Sequence, residues 1–157
     1  TLPDGLAALL SEFDVSPSAL ELEITETALM TDPDRAMQVV GRIAGLGMSL
    51  SIDDFGTGYS SLAYLKRLPL HALKIDRSFV MDMLDDEQDA IIVRSTIGLA
   101  HSLGLRVVAE GVENYPSLEK LREFGCDEAQ GYLLGKPLPA DQAFDLMSRQ
   151  PEDPAQS

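Results

Sequence analysis

From Leu20 onward, short apolar runs of strand character alternate with stretches of helical character, and no other feature of the sequence restricts the fold as strongly. Leu20–Thr25 alternates apolar and polar residues, as a half-buried strand does. Asp32-Pro33 then opens a helix, with Asp32 at the N-cap and Pro33 in the first turn. Ala36, Val39, Val40, Ile43 and Ala44 follow at helical spacing, and Gly45 and Gly47 stop the run. The same pattern predicts strands over Met48–Asp53, Ala72–Asp76, Leu105–Glu110 and Ala129–Leu134. Helices are predicted over Ser60–Leu68, Phe79–Leu84 and Glu87–Leu103, from Pro116 to Phe124, and from Pro139 onward. Residues 1–150 read as one domain and Pro151–Ser157 as a polar tail or linker.

Repeated strand-helix units call for a parallel sheet covered by helices. A Rossmann-like sheet and a β/α barrel both satisfy that. No Gly-x-Gly-x-x-Gly turn follows any strand, whereas polar residues gather at the strand ends: Glu23, Asp53, Lys74, Asp76, Glu110 and Gln130. C-terminal strand ends form the mouth of a barrel, where active sites sit, so the barrel is favoured. Five strands do not close the usual eight-stranded barrel, and the expected architecture is an incomplete one.

Composition sets limits on function. The 26 acidic against 12 basic side chains give a net charge of −14, which opposes binding to a nucleic-acid polymer or an anionic membrane. A phosphate substrate remains open if carboxylates hold cations that in turn hold phosphate. Cys126 is the single cysteine, so an internal disulfide and a thiol-rich metal site are excluded, and a cytoplasmic setting is the expectation. No apolar run approaches the roughly 20 residues of a membrane span. Thr1-Leu2-Pro3-Asp4-Gly5 has no secretory-signal character, and the lack of a starting Met leads us to expect a longer parent chain.

Adjacent carboxylates at Asp53-Asp54 repel one another unless a cation lies between them. Two metal ions about 4 Å apart sharing such oxygens clamp a phosphodiester. Gly56-Thr57-Gly58 permits a tight backbone path beside such a site. The same seven residues, Ile52–Gly58, suit an ordinary acidic turn equally well. Taken singly, Glu23-Ile24-Thr25-Glu26 reads as a solvated strand edge and Lys74-Ile75-Asp76 as an ion pair. Glu110-Gly111-Val112-Glu113 is less easily dismissed, because it ends the apolar run Val107-Val108-Ala109 and an unpaired buried charge is costly. Gln130-Gly131-Tyr132 fits either a ligand contact or a strand start. His71 and His101 lack partners at metal-ligand spacing and read as surface or packing residues.

As a set, Glu23-x-x-Glu26, Asp53-Asp54-Phe55-Gly56-Thr57-Gly58, Lys74-x-Asp76, Glu110-Gly111-x-Glu113 and Gln130-Gly131-Tyr132 resemble the EAL family of cyclic di-GMP phosphodiesterases, from about Leu2 to Met147. The resemblance implies a modified TIM-like β/α barrel that opens cyclic di-GMP to pGpG with two divalent cations, Mg²⁺ or Mn²⁺. It implies metal ligation by Glu23, Asp53, Asp54 and Glu110, and a place for Lys74 beside the attacking water as positioner or general base. Asp53, Glu110 and Lys74 form the implied catalytic set. Gln130 and Asp76 would meet substrate or metal-bound water. Glu26 would hold the loop Asp54–Ser61, to which Gly56, Thr57 and Gly58 belong, and Glu113 would stand behind the ligands.

The Glu-Ala-Leu motif of the family and a later Asn-bearing strand are absent from this sequence, so the 157 residues alone are expected to hydrolyse poorly. The resemblance also implies a fused GGDEF or sensory domain upstream and a homodimer as partners to look for. The rival functions are a non-catalytic cyclic di-GMP-binding module and an interaction fragment whose open sheet edges pair with another chain.

Overall fold

A computed structural model describes residues 1–56 and 62–149, apart from the side chains of Met30, Leu62, Met147 and Arg149. Thr57, Gly58 and the tail expected over Pro151–Ser157 therefore lie outside the described residues. Five strands, β1 (Glu21–Thr25), β2 (Ser49–Phe55), β3 (Ala72–Ile75), β4 (Arg106–Ala109) and β5 (Glu128–Ala129), pair in parallel in the order β1-β2-β3-β4-β5. Sequential order is what a β/α barrel requires, whereas a doubly wound sheet reverses direction midway. The described sheet is open, with β1 and β5 each pairing on one side.

The helices are α1 (Leu2–Glu12), α2 (Glu26–Thr31), α3 (Pro33–Gly45), α4 (Leu62–Leu65), α5 (Arg77–Asp82), α6 (Glu87–Ser102), α7 (Tyr115–Phe124) and α8 (Ala140–Arg149). Their starts are written in capping side chains. Asp32, Asp86 and Asn114 accept from the backbone N–H of Arg35, Gln88 and Ser117 at 3.2, 2.7 and 2.9 Å. Each satisfies a donor that the first helical turn leaves free. Gly125 closes α7 at φ 79°, a conformation that suits glycine.

Alternation sorts the strands into two faces. Leu50, Ile52, Leu73, Ile75, Val107 and Ala109 are buried on one of them, in a core with Val40 and Ile43 of α3, Val93 and Ile97 of α6, and Leu121 of α7. Burying each larger aliphatic side chain contributes about 1.5–3 kcal/mol, so this layer fixes the register. An apolar hollow of about 520 Å³, lined by Leu22, Ile24, Ala36, Val39 and Ile43 among others, lies against the open edge of β1.

Three differences from the sequence expectation have local causes. Helices α1 and α2 were not anticipated; α2 begins at Glu26, directly after the strand, with the Thr25 hydroxyl accepting from Ala28 N–H at 3.3 Å. Strand β2 runs on to Phe55, so it carries both acids. The fifth strand is much shorter than Ala129–Leu134. After Gln130 the chain turns, with Leu134 and Gly135 N–H donating to the Gly131 carbonyl at 3.0 and 3.2 Å.

Candidate active site

The second face of the sheet collects the polar residues. Partners in a parallel pair point the same way, and so do residues two apart in one strand. Glu23 pairs with Ser51, Ser51 with Ala72, and Lys74 with Val108, which pairs with Glu128. Counting in twos places Glu23, Ser51, Asp53, Lys74, Glu110 and Gln130 on one face, away from Ile52, Leu73 and Val107. The separate motifs of the sequence thus become one row of side chains across neighbouring strands.

Asp54 reaches that row by a break in the ladder. Ile52 pairs with Leu73 and Phe55 with Ile75, so two residues of β2, Asp53 and Asp54, stand opposite the single Lys74. This is a β-bulge, which re-aims side chains and often borders active sites. Asp54 adopts φ 55° and its N–H donates to Asp53 Oδ1 at 2.9 Å. Carboxylate oxygens of Asp53, Asp54 and Glu110 lie within 4.8 Å of one another. Glu23 is outside that trio and points at Lys74 instead.

Lys74 is 5% exposed and is held by carboxylates. Its Nζ lies 2.5 Å from Glu23 Oε1, 2.6 Å from Glu110 Oε1 and 3.8 Å from Asp53 Oδ1. Burial alone pulls a lysine pKa down, but the hydrogen bonds to Glu110 and Glu23 and the charges of Glu110 and Asp53 outweigh it and hold Lys74 above its ordinary value. The ammonium is therefore firmly charged. Asp54 shifts upward, first through burial and then through the charges of Asp53 and Asp76. Burial also raises Asp76, but hydrogen bonds from the Ser78 hydroxyl and N–H and from Asp54 leave it lowered overall. Asp76 is also the N-cap of α5, accepting from Ser78 N–H at 2.9 Å.

These acids are poorly neutralised as they stand. One ammonium faces Glu23, Asp53 and Glu110, and Asp54 holds its proton more tightly than a free Asp. All-oxygen donors at this density suit a hard divalent cation, so the donor set fits the group that the sequence implies.

Glu26 is 2% exposed, and its Oε2 accepts from Gly56 N–H at 3.2 Å. It ties the N-terminus of α2 to the end of β2. Gly56 has φ 102° and sits against the Phe79 ring, where a Cβ would come within 3.1 Å of it. Glu113, Gln130, Glu110, Arg77 and Tyr132 line a cavity of about 200 Å³ beside the acidic trio. Gly131 makes this wall possible: a Cβ there would lie 2.2 Å from the Val112 carbonyl oxygen and 2.3 Å from its nitrogen.

Sequence reasoning missed Arg77 and Ser51. Arg77 directly follows the Lys74-x-Asp76 motif, and that adjacency was its signal. Ser51 was visible only as a polar residue two before Asp53 on the same strand. The residues set aside do behave structurally. His71 Nδ1 accepts from Leu50 N–H at 3.2 Å, and His101 Nε2 meets Asp127 Oδ2 at 2.9 Å. Cys126 is half-buried, with its Sγ 3.6 Å from the Val107 carbonyl.

Comparison with known proteins agrees with this geometry. Residues 1–137 match the family model described as EAL domain. The chain is 51% identical over 139 residues to the cyclic di-GMP phosphodiesterase NbdA of Pseudomonas aeruginosa, covering 88% of this chain and 18% of that protein. It superposes on the PaMucR phosphodiesterase in its c-di-GMP complex with a TM-score of 0.87 at 46% identity, covering 89% of this chain and 57% of that one. The manganese and cy-diGMP complex of Klebsiella pneumoniae BlrP1 aligns with a TM-score of 0.76 at 34% identity, over 83% of this chain and 34% of that one. The chain thus spans less than a fifth of NbdA and somewhat over half of the solved PaMucR chain. Among the described residues no helix is long and apolar enough to cross a membrane. With the fold, the row of acids around Lys74 and these likenesses in agreement, the chain belongs to the EAL domain family.

Proposed function

We propose that the protein containing this chain is a phosphodiesterase that opens cyclic di-GMP to pGpG with two divalent cations, Mg²⁺ or Mn²⁺. The observation that carries this reading is the bulge that sets Asp53 and Asp54 opposite Lys74, within reach of Glu110. Asp53, Asp54 and Glu110 would hold the cations, and Glu23 would join them through its second carboxylate oxygen while Oε1 keeps its contact with Lys74. When bound, such ions polarise the phosphodiester and lower the pKa of an attacking water.

The remaining work belongs to side chains of the chain itself. Lys74, fixed by Glu23 and Glu110, orients the water and offsets negative charge developing on phosphate, acting as positioner and not as base. Gln130 and Asp76 give polar contacts to the dinucleotide. Glu26 anchors the segment that starts at Gly56, and Glu113 supports the wall beside Glu110. All five charged positions, Glu23, Asp53, Asp54, Lys74 and Glu110, carry functional groups suited to catalysis, which favours an enzyme over a non-catalytic binding module. MucR is named a bifunctional diguanylate cyclase and phosphodiesterase, and a fused cyclase-type domain is the partner we propose for the full chain.

The test is hydrolysis of cyclic di-GMP by the full-length protein with Mn²⁺ or Mg²⁺, with and without EDTA. We expect pGpG formation that EDTA abolishes and that Asp53→Asn reduces by roughly 100-fold or more, the scale of losing one ligand-held charge at the reacting centre. Tight cyclic di-GMP binding without hydrolysis under any divalent cation would instead establish the binding module. The 157-residue chain, whose sheet is open at β1 and β5 among the described residues, is expected to be the weaker catalyst.

A further inference from the structure

Beneath Lys74 lies a group that the catalytic scheme does not use. Ser51 is fully buried, and its Oγ has no hydrogen-bond partner among the described residues. Leaving a buried hydroxyl unsatisfied costs free energy, so such groups are found bonded to protein or to an ordered water. The position of Ser51 says where that partner has to be. Glu23 is on β1 and Lys74 on β3, with β2 between them. Their 2.5 Å contact therefore crosses the face of β2. On that face β2 presents Ser51, in register with Glu23, and Asp53 one step further along. Ala72, the partner of Ser51 on β3, offers only a methyl group, which supplies no hydrogen bond. Glu23 Oε1 is engaged by Lys74, and the second oxygen of the carboxylate keeps its acceptor capacity.

We propose that Ser51 is a positioning residue for Lys74. Its hydroxyl donates to one ordered water, which donates to the Glu23 carboxylate and holds Glu23 against the ammonium. Ser51 touches neither substrate nor metal; it acts through Glu23. The device rests on the phosphodiesterase reading only for its purpose, because the hydrogen bonds themselves exist without metal or substrate.

A double-mutant cycle on folding in EDTA tests this apart from activity. In the full-length protein, Ser51→Ala is expected to lower the folding equilibrium constant about tenfold, the worth of one buried hydrogen bond. In a Glu23→Gln background, where the carboxylate that anchors the water is gone, most of that loss is expected to vanish. A Ser51→Ala variant as stable as wild type or more so, or an equal loss in both backgrounds, overturns the proposal. If Ser51→Ala does not fold, a high-resolution crystal structure of the wild type decides: a water within hydrogen-bond distance of both Ser51 Oγ and Glu23 supports the device, and its absence refutes it. Inactivity of the wild type toward cyclic di-GMP would sink the phosphodiesterase reading and leave this cycle unaffected.

Discussion

Replacing Gly131 by Ala tests how tightly the wall beside the acids is built. The new Cβ would meet Val112 O, N and C at 2.2, 2.3 and 2.7 Å, all backbone atoms that no rotamer change can clear. Val112 is pinned from both sides, donating to the Gln130 carbonyl at 3.0 Å and accepting from Leu133 N–H at 3.0 Å. Relieving the clash means separating the segment after β4 from the turn after β5 and weakening both bonds. Overpacking of this kind costs about 1–3 kcal/mol, and each bond adds about 1 kcal/mol, so the total is about 3–5 kcal/mol. Glu110 and Gln130 flank the displaced segment, and a shift of about 1 Å in such groups lowers turnover on the order of 100-fold. Gly98, exposed in α6 with no atom within 4 Å of the place a methyl group would take, is the matched control. Gly98→Ala should stabilise the helix by about 0.5–1 kcal/mol. Urea unfolding of the full-length protein measures both. If Gly131→Ala unfolds within about 0.5 kcal/mol of wild type, a difference ordinary surface changes produce, the close approach is wrong.

Other outcomes follow from the same geometry. Lys74→Ala should abolish hydrolysis while Mn²⁺ binding, followed by calorimetry, stays mostly intact; near-normal hydrolysis would remove Lys74 from its role. The upward shift of Asp54 means that its proton is favoured by the folded state. Ionised Asp54 therefore opposes folding of the metal-free protein above its folded pKa, and that penalty fades as pH falls toward the ordinary value of 3.8. A cation has to displace this proton, so affinity for Mn²⁺ should drop over the same acid range, and Asp54→Asn should raise the melting temperature in EDTA while weakening Mn²⁺ binding. Loss of stability in that variant would contradict the shift. Glu26→Ala removes a buried acceptor from Gly56 N–H and should cost about 1.5–3 kcal/mol in urea unfolding, with a fall in kcat; an unchanged kcat would separate Glu26 from the site.

Much of this site could be read from the residues because strand alternation is strict. Once Leu22, Ile52, Leu73 and Val107 are assigned to the core, Glu23, Asp53, Lys74 and Glu110 have to share the opposite face. The bulge could not be read. Two acids in sequence fit an ordinary ladder equally well, and only the pairing of Phe55 with Ile75 reveals the extra residue. Helix α2 was hidden for a different reason. Glu26-Thr27 prolongs a polar strand end, and it is burial of Glu26 against Gly56, a contact 30 residues away in the chain, that marks the change of direction. The premature end of β5 comes from the Val112 backbone filling the space beside Gly131, information that no local propensity carries.

The bulge has a further consequence for how this strand tolerates change. Substituting Asp53 or Asp54 removes one carboxylate and leaves the strand path in place, so a single reversion restores it. Deleting either residue erases the two-against-one pairing, leaving one acid opposite Lys74 and pulling everything after it one place back along the chain. That shortening would also draw Gly56 away from the carboxylate of Glu26. The number of residues in β2 is therefore as much a part of its information as their identity, and insertions or deletions between Ile52 and Phe55 are expected to be far rarer than substitutions in any functional descendant of this chain.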